Sequence, residues 1–170
     1  MALFEDNYGN DDSYCDIFLL YLKCRIIYRK QVYFRGFSMV CAMKGSNILF
    51  NNAGEGKINI FSHPFSNMFG LSQRCIIVAK NGGKIVINEG VGMSGCTIYS
   101  MESITIWRNT DIGSGCKIID NDFHPLPYSE RYPVERLDLL KMRPVVIGEG
   151  CFLGANSSKR PKTYLLIWQR

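Results

Sequence analysis

Ile87-Asn-Glu-Gly-Val-Gly-Met93-Ser-Gly-Cys-Thr-Ile-Tyr99 is the stretch of this chain that decides its fold. Large apolar residues recur in it at every sixth position. The same step returns twice further along, in Ile106, Ile112 and Ile118 and then in Ile147 and Leu153. A period of six is neither the 3.6 of a helix nor the alternation of an ordinary strand. It predicts a solenoid, in which short flat strands are joined by tight turns and stacked coil upon coil.

Small or compact side chains support this interpretation. They stand four positions after the aliphatic residues, at Val91, Thr97, Thr110, Cys116, Cys151 and Ser157. Such side chains suit an inward corner, and glycine, which follows three of the aliphatics, suits the turn itself. An antiparallel sheet with glycine-rich turns is the alternative. Strand alternation does not generate a six-residue step in three separate places, so we favour the solenoid.

The repeats resemble those of the hexapeptide-repeat acyltransferases, and most closely the galactoside, maltose and polysaccharide O-acetyltransferases. The resemblance runs from about Lys84 to Asn156. It is carried by 87–98, by Ile118-Ile-Asp-Asn-Asp-Phe-His-Pro125 and by Val146-Ile-Gly-Glu-Gly-Cys-Phe-Leu-Gly-Ala-Asn156. It implies a mainly β fold, a left-handed parallel β-helix with three six-residue units per coil.

We divide the chain into four parts. The predicted parts are a leader and helix at 1–30, irregular first coils at 31–83, the β-helix at 84–156, and a non-repeat tail at 157–170. Prolines break the period at 121–144, so we expect this segment to be one ejected loop. Long loops that leave a regular scaffold are usually functional.

The N-terminal helix is expected from about Ser13 to Lys30. Its apolar stretch, Ile17-Phe-Leu-Leu-Tyr-Leu22, is too short to cross a membrane, which takes about 20 residues. Packing against the end of the solenoid or against a neighbouring subunit is one interpretation. A peripheral membrane contact through the helix and its basic C-terminal part is the other.

Composition excludes several classes of function. The net charge of +5 is a mild excess of base, and no basic cluster is interleaved with aromatics, so we expect no nucleic-acid partner. The N-terminus opens with acidic and polar residues rather than a secretory signal. Seven cysteines without a Cys-x-x-Cys pair indicate reduced thiols in a cytoplasm and no metal cluster.

His124, in the ejected loop, is the candidate catalytic residue. Moving an acetyl group from a thioester to a sugar hydroxyl requires a base, and imidazole titrates near neutral pH. The resemblance implies that this histidine deprotonates the hydroxyl, which then attacks acetyl-coenzyme A directly. A loop histidine that only hydrogen-bonds locally is the alternative.

Two aspartates flank His124. Asp122 is the second candidate catalytic residue, because a carboxylate can orient an imidazole and stabilise its charged form. Asp120 is a candidate for substrate binding. Turn stabilisation is the alternative for both.

Two further residues are candidates for substrate binding. The resemblance places Ser94 in a cleft facing the adjoining subunit, with a plain turn serine as the alternative. Arg131, like Arg136, lies in the ejected loop, where it could hold an acidic sugar or a coenzyme A phosphate. A solvated surface arginine is the alternative.

Gly154, Ala155 and Asn156 match the start of the family's donor groove, where small residues let the pantetheine arm lie along the coil. The acyl donor implied is acetyl-coenzyme A. The six-residue pattern stops after Asn156, whereas the family continues with further repeats. We therefore expect a truncated or frame-shifted end, or a natural short form, and the completeness of the donor site is an open question at this point. The related zinc-dependent carbonic anhydrases need three histidines per metal and this chain has two, so no metal is expected.

Two functions follow. The first is an acetyltransferase that acts on a sugar or polysaccharide hydroxyl, as a cytoplasmic homotrimer with its site between subunits and with the peripheral membrane contact as an open alternative. The second is a catalytically impaired β-helix that binds or assembles with partners because donor-site coils are missing.

Overall fold

The protein is described by a computed structural model that covers residues 14–54, 56–66, 68, 73–125, 127–130 and 137–159. It is mainly β, with short parallel strands stacked in three sheets and one α-helix at the N-terminal end. The chain visits the sheets in rotation, so each of the first four coils contributes one strand to every sheet, and the last two described strands extend two of the sheets. This is the arrangement of a parallel β-helix.

Sheet A contains β1, β4, β7, β10 and β13, which span Val32–Arg35, Ile58–Phe61, Gly92–Ser94, Asp111–Ile112 and Phe152–Leu153. Sheet B contains β2, β5, β8, β11 and β14, at Met39–Ala42, Ile76–Ala79, Thr97–Ser100, Lys117–Ile119 and Ser158–Lys159. Sheet C contains β3, β6, β9 and β12, at Asn47–Asn51, Lys84–Asn88, Ser103–Ile106 and Val145–Ile147. Neighbouring strands in each sheet are parallel and pair residue by residue.

The core is a set of aliphatic columns along the solenoid axis. In sheet C, Phe50, Ile87, Ile106 and Ile147 follow one another in register, and all four are buried. Burying a side chain of this size contributes about 1.5–3 kcal/mol. The repeated aliphatic therefore forms the core of the fold, as the six-residue period predicts.

Two positions of the predicted pattern, both in the same coil, were wrong by one residue. Ile98, rather than Tyr99, is the inward side chain of β8, and it pairs with Ile118 in the next coil. The inward corner residue is likewise Cys96 and not Thr97. The turn from Met93 to Ile98 is one residue shorter than the turn from Ile112 to Ile118. The inward positions of this coil are therefore shifted by one residue from those that a constant six-residue step predicts.

Three thiols stack in the corner between sheets A and B. The strand register places Cys75, Cys96 and Cys116 on successive coils, and each is buried. The hydrogen bond with Cys75, and then burial, raise the pKa of Cys96, and burial raises the pKa of Cys116. A hydrogen bond from Cys96 outweighs burial at Cys75 and lowers the pKa of that thiol. All three are free cysteines, packed as compact apolar side chains.

The helix α1, Tyr14–Ile27, covers the first coil. The Tyr21 ring packs edge-on against Phe34 at 5.5 Å, and its hydroxyl donates to the Gly36 carbonyl at 3.0 Å. Cys24 on the same face is buried, and burial raises the pKa of its thiol to about 12. Packing against the end of the solenoid is therefore the arrangement observed. It keeps the apolar interior of the first coil from water.

The ejected loop leaves sheet B after β11 and returns as β12. An isolated antiparallel bridge between Asn121 and Met142 closes its base, and the Arg143 amide donates to the Asp120 carbonyl at 2.9 Å. Within it, Tyr128–Glu130 and Leu137–Leu139 form single 3₁₀ turns, and a third such turn, Pro64–Ser66, lies in the second coil. After the loop, β12 pairs in parallel with β9, so sheet C continues as in the earlier coils.

Among the described residues, no helix has both the length and the apolar character needed to span a bilayer.

Candidate functional site

A groove with a volume of about 610 Å³ lies on the outer face of sheet A. Its floor is formed by Gly92, Ser94 and Gly113, and its sides include Phe61 and Phe152. We call this the sheet A groove. Phe152 is 73% exposed, so the groove has an apolar side in contact with solvent.

Strand alternation explains why the groove is here. Met93 and Ile112 point inward and are buried, so the residues on either side of each must point outward. On sheet A three of these outward residues are the small Gly92, Ser94 and Gly113. A Cβ at Gly113 would lie 2.7 Å from the Ala155 amide nitrogen, so the neighbouring coil also passes close to it.

Two of the expected binding residues meet in this groove. Ser94 and Ala155 both line it, although they are two coils apart. Gly154 and Asn156 flank Ala155 in the turn that follows β13. The Gly154 carbonyl accepts a hydrogen bond from the Cys116 thiol at 3.0 Å, and the backbone amide of Asn156 donates to the Ser114 carbonyl at 2.8 Å. These contacts hold the turn against the coil below it.

His124 is exposed on the ejected loop, near its base. Its backbone amide donates to the Asp122 carbonyl at 2.7 Å. Phe123, with a φ of 59°, turns the chain so that its ring packs on Tyr99 at 4.9 Å between centroids. Burial, and then the charge of Asp120, raise the pKa of that tyrosine. The phenylalanine thus wedges the loop against sheet B and leaves the imidazole in solvent.

Asp120 has a structural position. Its carboxylate is fully buried and accepts from the Ser100 hydroxyl at 2.6 Å, the Met101 amide at 2.8 Å, the Glu102 amide at 2.9 Å and the Asn121 side chain at 3.0 Å. Four donors surround an oxygen pair that has no solvent-exposed surface. This geometry favours turn stabilisation over the substrate contact that we expected.

The remaining loop candidates differ in what can be said of them. Asp122 is half-buried, two residues before His124, and only its carbonyl is seen to contact the histidine backbone. Its expected role as the partner of the imidazole stays a prediction. Arg131, with Arg136, lies outside the described residues.

His63, the other histidine, is held locally. Its Nδ1 accepts from the Phe65 amide at 3.3 Å, and its ring stacks on Phe65 at 5.3 Å. It lies in the corner between sheets A and B, away from the loop of His124. These contacts agree with a structural role.

Within one chain, His124 and the sheet A groove occupy different parts of the prism. The groove lies on sheet A, whereas His124 follows sheet B and precedes sheet C.

No group of three or more histidine, cysteine, aspartate or glutamate side chains that could hold a metal occurs in the described part of the chain. Comparisons with protein-family models, with curated proteins and with solved structures found no match. The resemblance to the hexapeptide-repeat acyltransferases therefore rests on the sequence motifs alone.

The sequence did not point to Phe61, Asp111 or Phe152 as groove residues. The signal was present, because each lies directly beside an inward aliphatic of the repeat and must face outward. Counting outward positions on sheet A, in addition to inward ones, would have found them.

Proposed function

We propose that this protein is a left-handed hexapeptide-repeat O-acetyltransferase that moves an acetyl group from acetyl-coenzyme A to a sugar or polysaccharide hydroxyl. One observation carries the proposal. The exposed His124 lies on a loop that interrupts the parallel coils. The two ends of this loop are held together by the backbone hydrogen bond to Asp120 and by the Asn121–Met142 bridge. A loop whose two ends are fixed and which holds an imidazole in solvent is suited to carry a general base.

The sheet A groove is the donor site in this proposal. Its glycine floor admits an extended chain such as pantetheine, and the exposed ring of Phe152 can cover the methylene groups. Ser94 lies in the same groove, where a hydroxyl can donate to the oxygen of the thioester carbonyl. The negative charge that develops on this oxygen during transfer is stabilised by such a donor.

The chemistry is one acyl transfer. The imidazole of His124 takes the proton of a sugar hydroxyl, whose oxygen forms a bond to the acetyl carbonyl carbon. The tetrahedral intermediate collapses, the carbon–sulfur bond breaks, and the proton passes to the departing coenzyme A thiolate. Asp122 stabilises the imidazolium between these steps.

A homotrimer completes the site. Because His124 and the sheet A groove lie on different parts of one chain, the loop of one subunit must face the groove of its neighbour. Cyclic closure around a threefold axis places the loop of each subunit against the groove of a neighbouring subunit.

The test is acetyl transfer to a panel of sugars, measured as release of coenzyme A thiol. Because general-base catalysis contributes about 10²–10⁴-fold, His124→Ala should lower kcat by at least about 100-fold while the far-UV spectrum stays the same. His63→Ala is the matched control, since it removes the only other histidine. Equal activity of wild type and His124→Ala would contradict the proposal.

A binding or assembly module is the second candidate. It is favoured by the stop of the six-residue pattern after Asn156, where the resembled family continues with further repeats of its donor groove. In that case no sugar is acetylated by the folded trimer, and His124→Ala changes neither binding nor assembly.

We place the protein in the cytoplasm with a peripheral membrane contact. The contact is supported by Ile26 and Ile27, which are 70% and 44% exposed at the end of α1, beside Arg25. Co-sedimentation with anionic vesicles should decrease in Ile26→Ser/Ile27→Ser. Equal sedimentation of the two proteins would exclude this surface.

A further inference from the structure

A second pocket lies at the corner where sheet C turns into sheet A. Its volume is about 260 Å³, and we call it the corner pocket. The side chains that matter for it are Asn51, Asn88, Glu89, Trp107, Arg108 and Glu149. It is separate from the ejected loop, which leaves the solenoid at the corner between sheets B and C.

Trp107 forms an aromatic wall of this pocket. It directly follows Ile106, whose strand partner is Ile87, so its neighbour on the adjacent coil is Asn88. The indole is 48% exposed, although a tryptophan of this size usually gains stability by burial. An exposed indole beside fixed polar groups is suited to the flat C–H face of a sugar ring.

The amides of the pocket are held in one orientation. The Asn51 side chain donates to the Asn88 Oδ1 at 2.9 Å, and the Asn88 amide donates to the Ile106 carbonyl at 2.8 Å. Asn88 is itself buried. The polar wall is therefore rigid before any ligand arrives, which lowers the entropic cost of binding.

Glu89 presents an oxygen that needs a donor. Its Oε2 is buried and has no hydrogen-bond partner among the described residues. Leaving such an acceptor unpaired costs about 1–3 kcal/mol, and more for a charged group. This oxygen is covered by the chain at Gly54, so a ligand hydroxyl would be accepted by the other oxygen of the carboxylate, Oε1.

The charges limit the class of ligand. Arg108 is paired with Glu149 through Nε and Oε1 at 2.7 Å, and it also feels the charge of Glu89. Two carboxylates and one guanidinium give the lining a net negative charge, which disfavours acidic sugars and phosphates. The remaining N–H groups of the Arg108 guanidinium can still donate to a hydroxyl oxygen.

We propose that the corner pocket binds one neutral pyranose, with Trp107 against the ring face and Glu89 accepting a ring hydroxyl. This site does not depend on acetyl transfer and would operate in either candidate function. A purely structural role for the corner is the alternative, in which the asparagines only join neighbouring coils.

Tryptophan fluorescence tests the site. Trp168 is the only other tryptophan, so Trp168→Phe leaves Trp107 as the reporter. The probes are methyl glycosides of glucose, galactose and mannose, N-acetylglucosamine, and glucuronate as the acidic comparator, in the absence of acetyl-coenzyme A. We expect a saturable change with at least one neutral sugar, at a Kd on the order of 1 mM, and a weaker response to glucuronate.

A second variant separates binding from folding. Glu89→Gln in the Trp168→Phe background keeps the shape of the side chain but replaces the charged acceptor with a neutral amide oxygen. It should weaken the response about tenfold, because a hydrogen bond to a charged acceptor is stronger than one to a neutral acceptor by about 1.4 kcal/mol. Lys84→Gln, at the exposed start of β6 and away from the pocket, is the matched control. No saturable response to any neutral sugar by a folded protein would overturn the proposal. An equal response from Glu89→Gln would overturn the part assigned to that carboxylate.

Discussion

The Ser100 hydroxyl donates to the Asp120 carboxylate at 2.6 Å inside the wall of the solenoid. Ser100 ends β8 in the third coil, and Asp120 follows β11 in the fourth. The bond therefore ties two coils together at the point where the loop of His124 leaves. Both side chains are fully buried, so the tie is shielded from water.

Asp120→Ala should destabilise the protein by about 3 kcal/mol or more, since it leaves buried donors unpaired and each bond to a charged acceptor contributes about 1.5–3 kcal/mol. Urea unfolding followed by circular dichroism measures the effect. Asp122→Ala is the control, because that half-buried side chain should cost no more than about 0.5 kcal/mol. Similar losses in the two variants would contradict the role assigned to Asp120.

Stability should fall at alkaline pH through Cys24. Burial raises the pKa of this thiol from its ordinary 9.0 to about 12. A raised pKa in the folded state means that the contribution is complete below the unfolded value and is lost as pH rises from 9 towards 12.

The measurement is the free energy of unfolding between about pH 8 and pH 11 for wild type and Cys24→Ala. The variant should be less stable near neutral pH because of the cavity it leaves, yet it should lose less stability as pH rises. Parallel curves for the two proteins would show that Cys24 does not couple to pH.

Two glycines of the sheet A groove should respond differently to alanine. A Cβ at Gly92 would meet the Asp111 Oδ1 at 2.5 Å, the end of an exposed side chain that can move. A Cβ at Gly113 would meet the Ala155 nitrogen and the Leu153 oxygen at 2.7 and 2.9 Å, which belong to the backbone of the next coil.

Gly113→Ala should therefore cost about 1–3 kcal/mol through overpacking, and Gly92→Ala less than about 1 kcal/mol. Thermal unfolding of both variants compares them directly. Gly92→Ala also narrows the groove in a folded protein, so its affinity for acetyl-coenzyme A should decrease. Equal stability of the two variants would argue against the close approach of the coils at Gly113.

Self-association should involve the outer face of sheet C. Leu49, Val86, Thr105 and Val146 form one outward row in register. Val146 is 54% exposed, and a flat row of this kind packs well around a threefold axis. Wild type should sediment as a trimer and Val146→Asp as a smaller species. A stable monomer of the wild type would exclude the trimer, and a trimeric Val146→Asp would place the interface elsewhere.

Much of the fold could be predicted from the aliphatic period. Ile87, Ile106, Ile112 and Ile118 occupy the inward positions that the six-residue step gives them, because a flat strand and a tight turn repeat the same geometry. At Tyr99 the prediction was wrong by one residue, since a turn can shorten without disturbing the stack. The first two coils have full parallel register although 31–83 lacks a clean period, because strand pairing with the coils above tolerates varied turn lengths.

The candidate site was harder to predict. Spacing placed Asp120 beside His124, but only the folded backbone shows that its carboxylate turns inward to Ser100 while His124 faces solvent. The corner pocket brings Asn51, Glu89 and Trp107 together from three coils, and no local motif joins residues so far apart in the chain.

Calorimetric titration with acetyl-coenzyme A, of the wild type and of His124→Ala side by side, tests the central claim most directly. Donor binding must precede acetyl transfer, and a general base contributes to transfer but not to the binding of the donor. We expect saturable binding with the same Kd for both proteins, while only the wild type goes on to acetylate a sugar. No binding by a folded wild-type trimer would contradict the assignment as an acetyltransferase and favour the binding or assembly module.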